Sequence, residues 1–120
     1  MGGGLEDLVA RLRAFVAERD WAQFHDPKNL TMALASEVGE LCALYRWVRN
    51  EDADAFSRDA VQRPRIEAEV ADVTILLLLL SDRLGIDLPE AVNRKIDANA
   101  LKYPAATSRG RSEPPGPGGM

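Results

Sequence analysis

The chain has 120 residues, 46% of them hydrophobic and 28% charged, with a net charge of −4. That length is enough for one domain with its own core, and the acidic balance excludes a general nucleic-acid coat or an anionic membrane surface as partner. The lone cysteine, Cys42, excludes an intramolecular disulfide framework and points to a reducing, cytoplasmic compartment.

Met1 to Gly4 reads as a flexible start without the apolar core of a signal peptide. A first helix is predicted from Leu5 to Arg19, with Leu5, Leu8, Leu12, Phe15 and Val16 on one face. Arg19-Asp20-Trp21 ends it, and an aromatic linker follows through Phe24 and His25. Asp26 is a good N-cap and Pro27 suits the first helical position, so a second helix is expected from Pro27 to about Arg49. Cys42 falls inside it as a small core filler. Residues 50–63 are polar and read as a loop with room for one helical turn. Pro64 opens a third helix that runs to Leu84, with Gly85 as its stop. The third helix is apolar nearly all round between Val70 and Leu80, yet the run is too short to span a bilayer. A second subunit is expected to cover its Ala71, Ile75 and Leu78 side. Asp87 and Glu90 have capping-box spacing for a fourth helix to about Lys102, with Leu88, Val92, Ile96 and Leu101 facing inward. From Pro104 the composition turns to Pro, Gly, Ser and Arg, which cannot bury a core. The expected fold is therefore all-α, an oligomeric four-helix bundle-like core over residues 1–104 with a disordered tail over 105–120.

Two acidic signatures stand out, Glu37-Val38-Gly39-Glu40 and Glu69-Val70-Ala71-Asp72. At about 100° per residue, positions three apart project from nearly the same side. Leu30, Ala33, Leu34, Leu41, Leu44 and Val48 fall within roughly 60° of Glu37 on a helical wheel. Ile66, Val73, Leu76, Leu80 and Leu84 do the same around Glu69, with Asp72 at the margin. A single such pair reads most simply as a solvated face. Two pairs inside apolar stripes of consecutive helices do not, because buried acids need partners or a metal. Four converging carboxylates would repel one another and hold one another's protons, and a divalent cation removes that cost. The only histidine, His25, lies outside both signatures, so an oxygen-only set favours Mg²⁺, with Mn²⁺ as a substitute, over zinc or iron. Mg²⁺ among carboxylates most often meets a phosphate substrate. No Walker lysine, glycine-rich phosphate loop or nucleophile triad accompanies it.

Glu-x-x-Glu, a loop and then Glu-x-x-Asp resemble the MazG-like all-α nucleoside triphosphate pyrophosphohydrolases. Glu-Arg-Asp-Trp at 18–21, Phe-His at 24–25, Pro-x-Asn-Leu at 27–30 and Trp47 are similar to the dCTP pyrophosphatase branch. So are Asp-Leu-Pro at 87–89, Lys95, Asn99 and Lys102-Tyr103-Pro104. The resemblance implies a dimer or tetramer that cleaves a nucleoside triphosphate, dCTP or a related pyrimidine nucleotide, to monophosphate and pyrophosphate. It assigns Glu37, Glu40, Glu69 and Asp72 to the metal and to catalysis. It assigns Lys95, Asn99, Lys102 and Tyr103 to triphosphate or sugar, and Trp21, His25 and Trp47 to the nucleoside. Neither nucleic acid nor membrane is an expected partner. One departure is Leu76, where related sequences commonly carry tyrosine. A dUTPase-like or phosphoribosyl-ATP pyrophosphatase activity is the rival within the enzymes. A non-catalytic dimerising bundle is the rival outside them.

Overall fold

The computed structural model describes residues 4–112, so residues 1–3 of the expected flexible start and residues 113–120 of the tail expected over 105–120 lie outside the described residues. Six α-helices and two 3₁₀ turns make up the described chain, with no strand. They fall into two compact units, one ending at Gly85 and the other beginning at Ile86.

The first unit holds α1 (Leu5–Glu18), α2 (Pro27–Tyr45), α3 (Ala53–Arg58) and α4 (Gln62–Arg83). Its axis is the pairing of α2 with α4, and α3 and α1 each pack on α4 as well. Leu30 of α2, Ile66 and Leu78 of α4 and Val16 of α1 are the buried apolar side chains. Leu78 is only 4% exposed within the single chain. The α4 side expected to face a second subunit is therefore met first by α1 of the same chain.

Local chemistry explains the ends of these helices. Trp21 N–H donates to Val16 O at 3.1 Å and Asp20 N–H to Ala17 O at 3.1 Å, the paired bonds of a Schellman cap. Asp20 takes the left-handed position with φ of +53°, which aspartate tolerates better than most residues. Asp26 caps α2 by accepting from Asn29 N–H at 2.9 Å, with Pro27 at the first turn. α2 stops at Tyr45, short of the predicted Arg49. There the Tyr45 hydroxyl meets Ser57 Oγ at 2.5 Å and its ring meets Phe56 edge-on at 5.4 Å. Ser57 in turn donates to Ala53 O at 2.7 Å, so the start of the expected loop is a docked helix. Gly85 ends α4 at φ of +67°, the conformation that costs glycine least. Cys42, expected in the core, is exposed.

The second unit holds α5 (Leu88–Lys102) and α6 (Ala105–Ser108). The stretch expected to begin a disordered tail thus opens instead with a helical turn, closed where Thr107 and Ser108 N–H donate to Pro104 O at 3.1 and 2.9 Å. Asp87 accepts from Glu90 N–H at 3.1 Å, the cap the sequence predicts. Leu88 is half-buried, but Val92, Ile96 and Leu101 are 47%, 57% and 85% exposed, contrary to the inward face expected for them. No helix among the described residues is long and apolar enough to cross a membrane.

Candidate active site

The pairing of α2 with α4 brings the acidic signatures together. One carboxylate oxygen from each of Glu37, Glu69 and Asp72 lies within 4.8 Å of the others. Glu37 and Glu69 are half-buried and Asp72 is exposed at the rim. Oε2 of Glu69 is buried with no hydrogen-bond partner. Desolvation first, then the charges of Glu37 and Glu40, the close approach of the Glu37 carboxyl and the charge of Asp72 hold the Glu69 carboxyl above its ordinary range. Glu40 is exposed and outside the close triple, although its charge still acts on Glu69. Three residues advance a helix by about 300°, so Glu40 falls about 60° to one side of Glu37 and at the edge of the stripe.

The other side of α4 borders a cleft of about 650 Å³ between α4 and α1, within the ordinary range for small-molecule sites. Phe15, Trp21 and His25 line it from the α1 side, and Thr74 and Leu76 from α4. Trp21 and Phe15 meet edge to face at 5.8 Å, and the Arg19 guanidinium caps the Phe15 ring at 3.7 Å. The linker carrying His25 is pinned at both ends. Gln23 donates to Asp20 O at 3.0 Å, and the Asn29 amide donates to Phe24 O at 3.1 Å. Ala71, the neighbour of Asp72, also lines the cleft, so the acidic cluster and the cleft adjoin along α4. A smaller cavity of about 220 Å³ shares His25, Val16 and Leu79 with the cleft and is bounded by Arg13 and Asp82.

The remaining sequence-predicted residues are placed as follows. Trp47 follows the end of α2, is 86% exposed and is absent from the walls of both cavities, with the Arg46 guanidinium 5.7 Å from its ring. Lys95, Asn99, Lys102 and Tyr103 recur at helical spacing on α5 and its cap. Lys102 Nζ lies 5.6 Å from the Tyr103 ring, and the Tyr103 hydroxyl is buried without a partner. Sequence reasoning missed Phe15 and Leu12 as cleft walls and Arg13 and Asp82 as partners. The apolar stripe of α1 carried the first two. No local signal links Arg13 to a residue 69 positions away.

Fold and cluster together define an all-helical chain with a converging carboxylate site. The family model for the MazG-like family matches residues 33–114. The chain belongs to that family. It is 45% identical over 106 residues to dCTP pyrophosphatase 1 of Bos taurus and 44% identical over 108 residues to that of Homo sapiens. These matches cover 88% and 90% of this chain, but the chain spans only 63% and 64% of those relatives' length. A crystal structure of a pyrophosphatase from Archaeoglobus fulgidus superposes with a TM-score of 0.77 at 38% identity, covering 87% of this chain and 95% of that one.

Proposed function

We propose that the protein is a Mg²⁺-dependent nucleoside triphosphate pyrophosphohydrolase that converts dCTP, or a related pyrimidine nucleotide, to the monophosphate and pyrophosphate. The observation that carries this reading is the convergence of Glu37, Glu69 and Asp72, with one Glu69 oxygen buried and unpartnered. The matched relatives named dCTP pyrophosphatase 1 supply the substrate.

A hard divalent cation fits this donor set. Its three close members offer only carboxylate oxygen, and the orphaned oxygen of Glu69 is the kind of atom a cation satisfies. Glu37, Glu69 and Asp72 would hold it, with Glu40 at the edge of the set. When bound, Mg²⁺ neutralises phosphate charge and lowers the pKa of water. The protein's own part is orientation. Pairing α2 with α4 fixes the carboxylates, and the cleft that begins at Ala71 takes the nucleoside. Trp21 and Phe15 offer faces and edges for stacking. The imidazole of His25 makes no hydrogen bond among the described residues and is available to the base edge. Lys95, Asn99, Lys102 and Tyr103 are assigned the triphosphate and sugar, and Trp47 an outer contact to the nucleoside.

The active species is a homodimer or homotetramer in the cytoplasm. Val61, Val70 and Leu77 are 69%, 46% and 40% exposed in a single chain, as are the α5 residues already noted. Apolar exposure on that scale suits an interface.

A panel of common nucleoside triphosphates with Mg²⁺, read for pyrophosphate and for the monophosphate, tests the proposal. dCTP should give the highest kcat/KM and the activity should vanish in excess chelator. Orthophosphate with a diphosphate as products would overturn the reading.

A further inference from the structure

We propose that the Arg13–Asp82 ion pair is a positioning latch that holds the α1 wall of the cleft in register with α4, and so sets nucleoside affinity. The inference rests on the cleft being the nucleoside site, as proposed above.

The contact between α1 and α4 is thin on its apolar side. Val16 is the one buried residue of α1, while Leu8 and Phe15 are 42% and 43% exposed. A cleft of about 650 Å³ stands open between the two helices, and side chains that border a void lose the dispersion contacts that would otherwise fix their position. Such a helix can rock or slide at little cost.

One polar connection opposes that freedom. Arg13 Nε donates to Asp82 Oδ2 at 2.9 Å, and a terminal guanidinium nitrogen donates to Oδ1. Among the described residues this is the only ion pair or side-chain hydrogen bond joining α1 to α4. A two-point guanidinium–carboxylate fork fixes direction as well as distance, which a single apolar contact does not.

Its two ends differ in mobility. The Asp82 side chain is 27% exposed and follows Ser81, itself buried, so it is anchored on α4. The Arg13 side chain is 65% exposed. Asp82 is thus the fixed post and Arg13 the arm. Both also border the small cavity behind His25. Loosening them shifts Phe15, and through the Schellman cap Trp21, relative to Thr74 and Leu76. The carboxylates of α2 and α4 do not depend on α1, so the acidic cluster should stay assembled.

The test compares Arg13→Ala, Asp82→Asn and the charge-swapped pair Arg13→Glu with Asp82→Arg. For an ion pair this exposed, each single variant should raise KM for dCTP about two- to fivefold with kcat nearly unchanged. The swap should bring KM back toward wild type. Arg13→Lys keeps the charge without the fork and should fall between. A second readout is independent of turnover. In a Trp47→Phe background Trp21 is the only tryptophan, and its quenching by acrylamide should rise in the single variants and recede in the swap. Active single variants with wild-type KM and wild-type quenching would overturn the latch while leaving the hydrolase standing. A folded swap that keeps the raised KM would overturn it too. If the single variants fail to fold and the swap folds with wild-type KM, the pairing is upheld. Absence of hydrolysis by the wild type overturns the proposed function, and the quenching result then decides the latch alone.

Discussion

α4 has two working faces, and they solve opposite problems. Toward α2 it presents Glu69 and Asp72 across a close helix pairing, where charge is crowded and one oxygen is orphaned. Toward α1 it presents Thr74, Ile75 and Leu76 across an open cleft almost without charge. Close packing fixes ligand atoms relative to one another, which phosphate chemistry needs. Wide packing leaves volume, which recognition of a flat base needs. The two faces share one rigid helix, so a phosphate on one and a base on the other, as proposed, would be held at a set separation.

The largest effect is expected where the charged face is broken. Asp72→Asn should lower kcat on the order of a hundredfold or more, since it removes charge at the proposed metal. Steady-state kinetics with saturating Mg²⁺ will read it, and a loss below tenfold would contradict the placement of Asp72 among the ligands.

The apolar face should answer in KM instead. Stacking a base on an aromatic side chain is worth roughly 1–3 kcal/mol by truncation. Trp21→Ala is therefore expected to raise KM about five- to a hundredfold for every nucleotide, with a smaller change in kcat. His25→Ala should flatten the ratio of kcat/KM between dCTP and its competitors, because hydrogen-bonding groups discriminate where stacking does not. If both variants lower kcat and spare KM, the two faces have been assigned in reverse.

A pH experiment sharpens the contrast without substrate. The Glu69 carboxyl is held above its ordinary value by desolvation and by its acidic neighbours. The folded, metal-free protein therefore binds more protons than the unfolded chain between the ordinary carboxylate pKa and the raised one. The stability contributed by Glu69 is greatest below the ordinary pKa and is lost as pH rises through the raised one. Metal-free Tm should accordingly fall across that window, and Glu69→Gln should remove that fall and raise Tm at neutral pH. Mg²⁺ should erase the advantage of the variant. A wild-type Tm insensitive to pH across the window would show that the carboxylates do not strain the fold.

Much of the charged face was legible in the sequence because it is local. Glu37, Glu69 and Asp72 sit on two long helices with clear apolar stripes, and capping residues Asp26 and Asp87 announce where α2 and α5 begin. Helical periodicity converts such patterns directly into geometry. The apolar face was legible only in part. The aromatic linker drew attention to Trp21 and His25, but the cleft exists because α1 lies against α4 without filling the space. That is a tertiary fact with no short-range signature. The same holds for Arg13 and Asp82, and for Leu78, whose burial beneath α1 no wheel of α4 alone reveals. The early end of α2 was missed because its last residue, Tyr45, docks on Phe56 and Ser57 of α3, and a residue's docking partner is not written beside it.

That early end bears on the smallest expected effect. An α2 that reached Arg49 would have carried Trp47 on the helix, two to three turns beyond Glu37 and within reach of a base. In the structure Trp47 follows the last helical turn, 86% exposed, with the Arg46 guanidinium over its ring. A side chain with so little buried surface contributes little to folding, and substitutions at such sites usually change stability by no more than about 0.5 kcal/mol. Trp47→Ala should therefore leave Tm close to wild type. It should raise KM for all nucleotides by less than Trp21→Ala does, because Trp21 lines the cleft and Trp47 does not. Measuring both variants on dCTP and a purine triphosphate checks the order. If Trp47→Ala costs as much KM as Trp21→Ala, the base does not rest in the α1–α4 cleft, and the division of labour between the two faces of α4 fails with it.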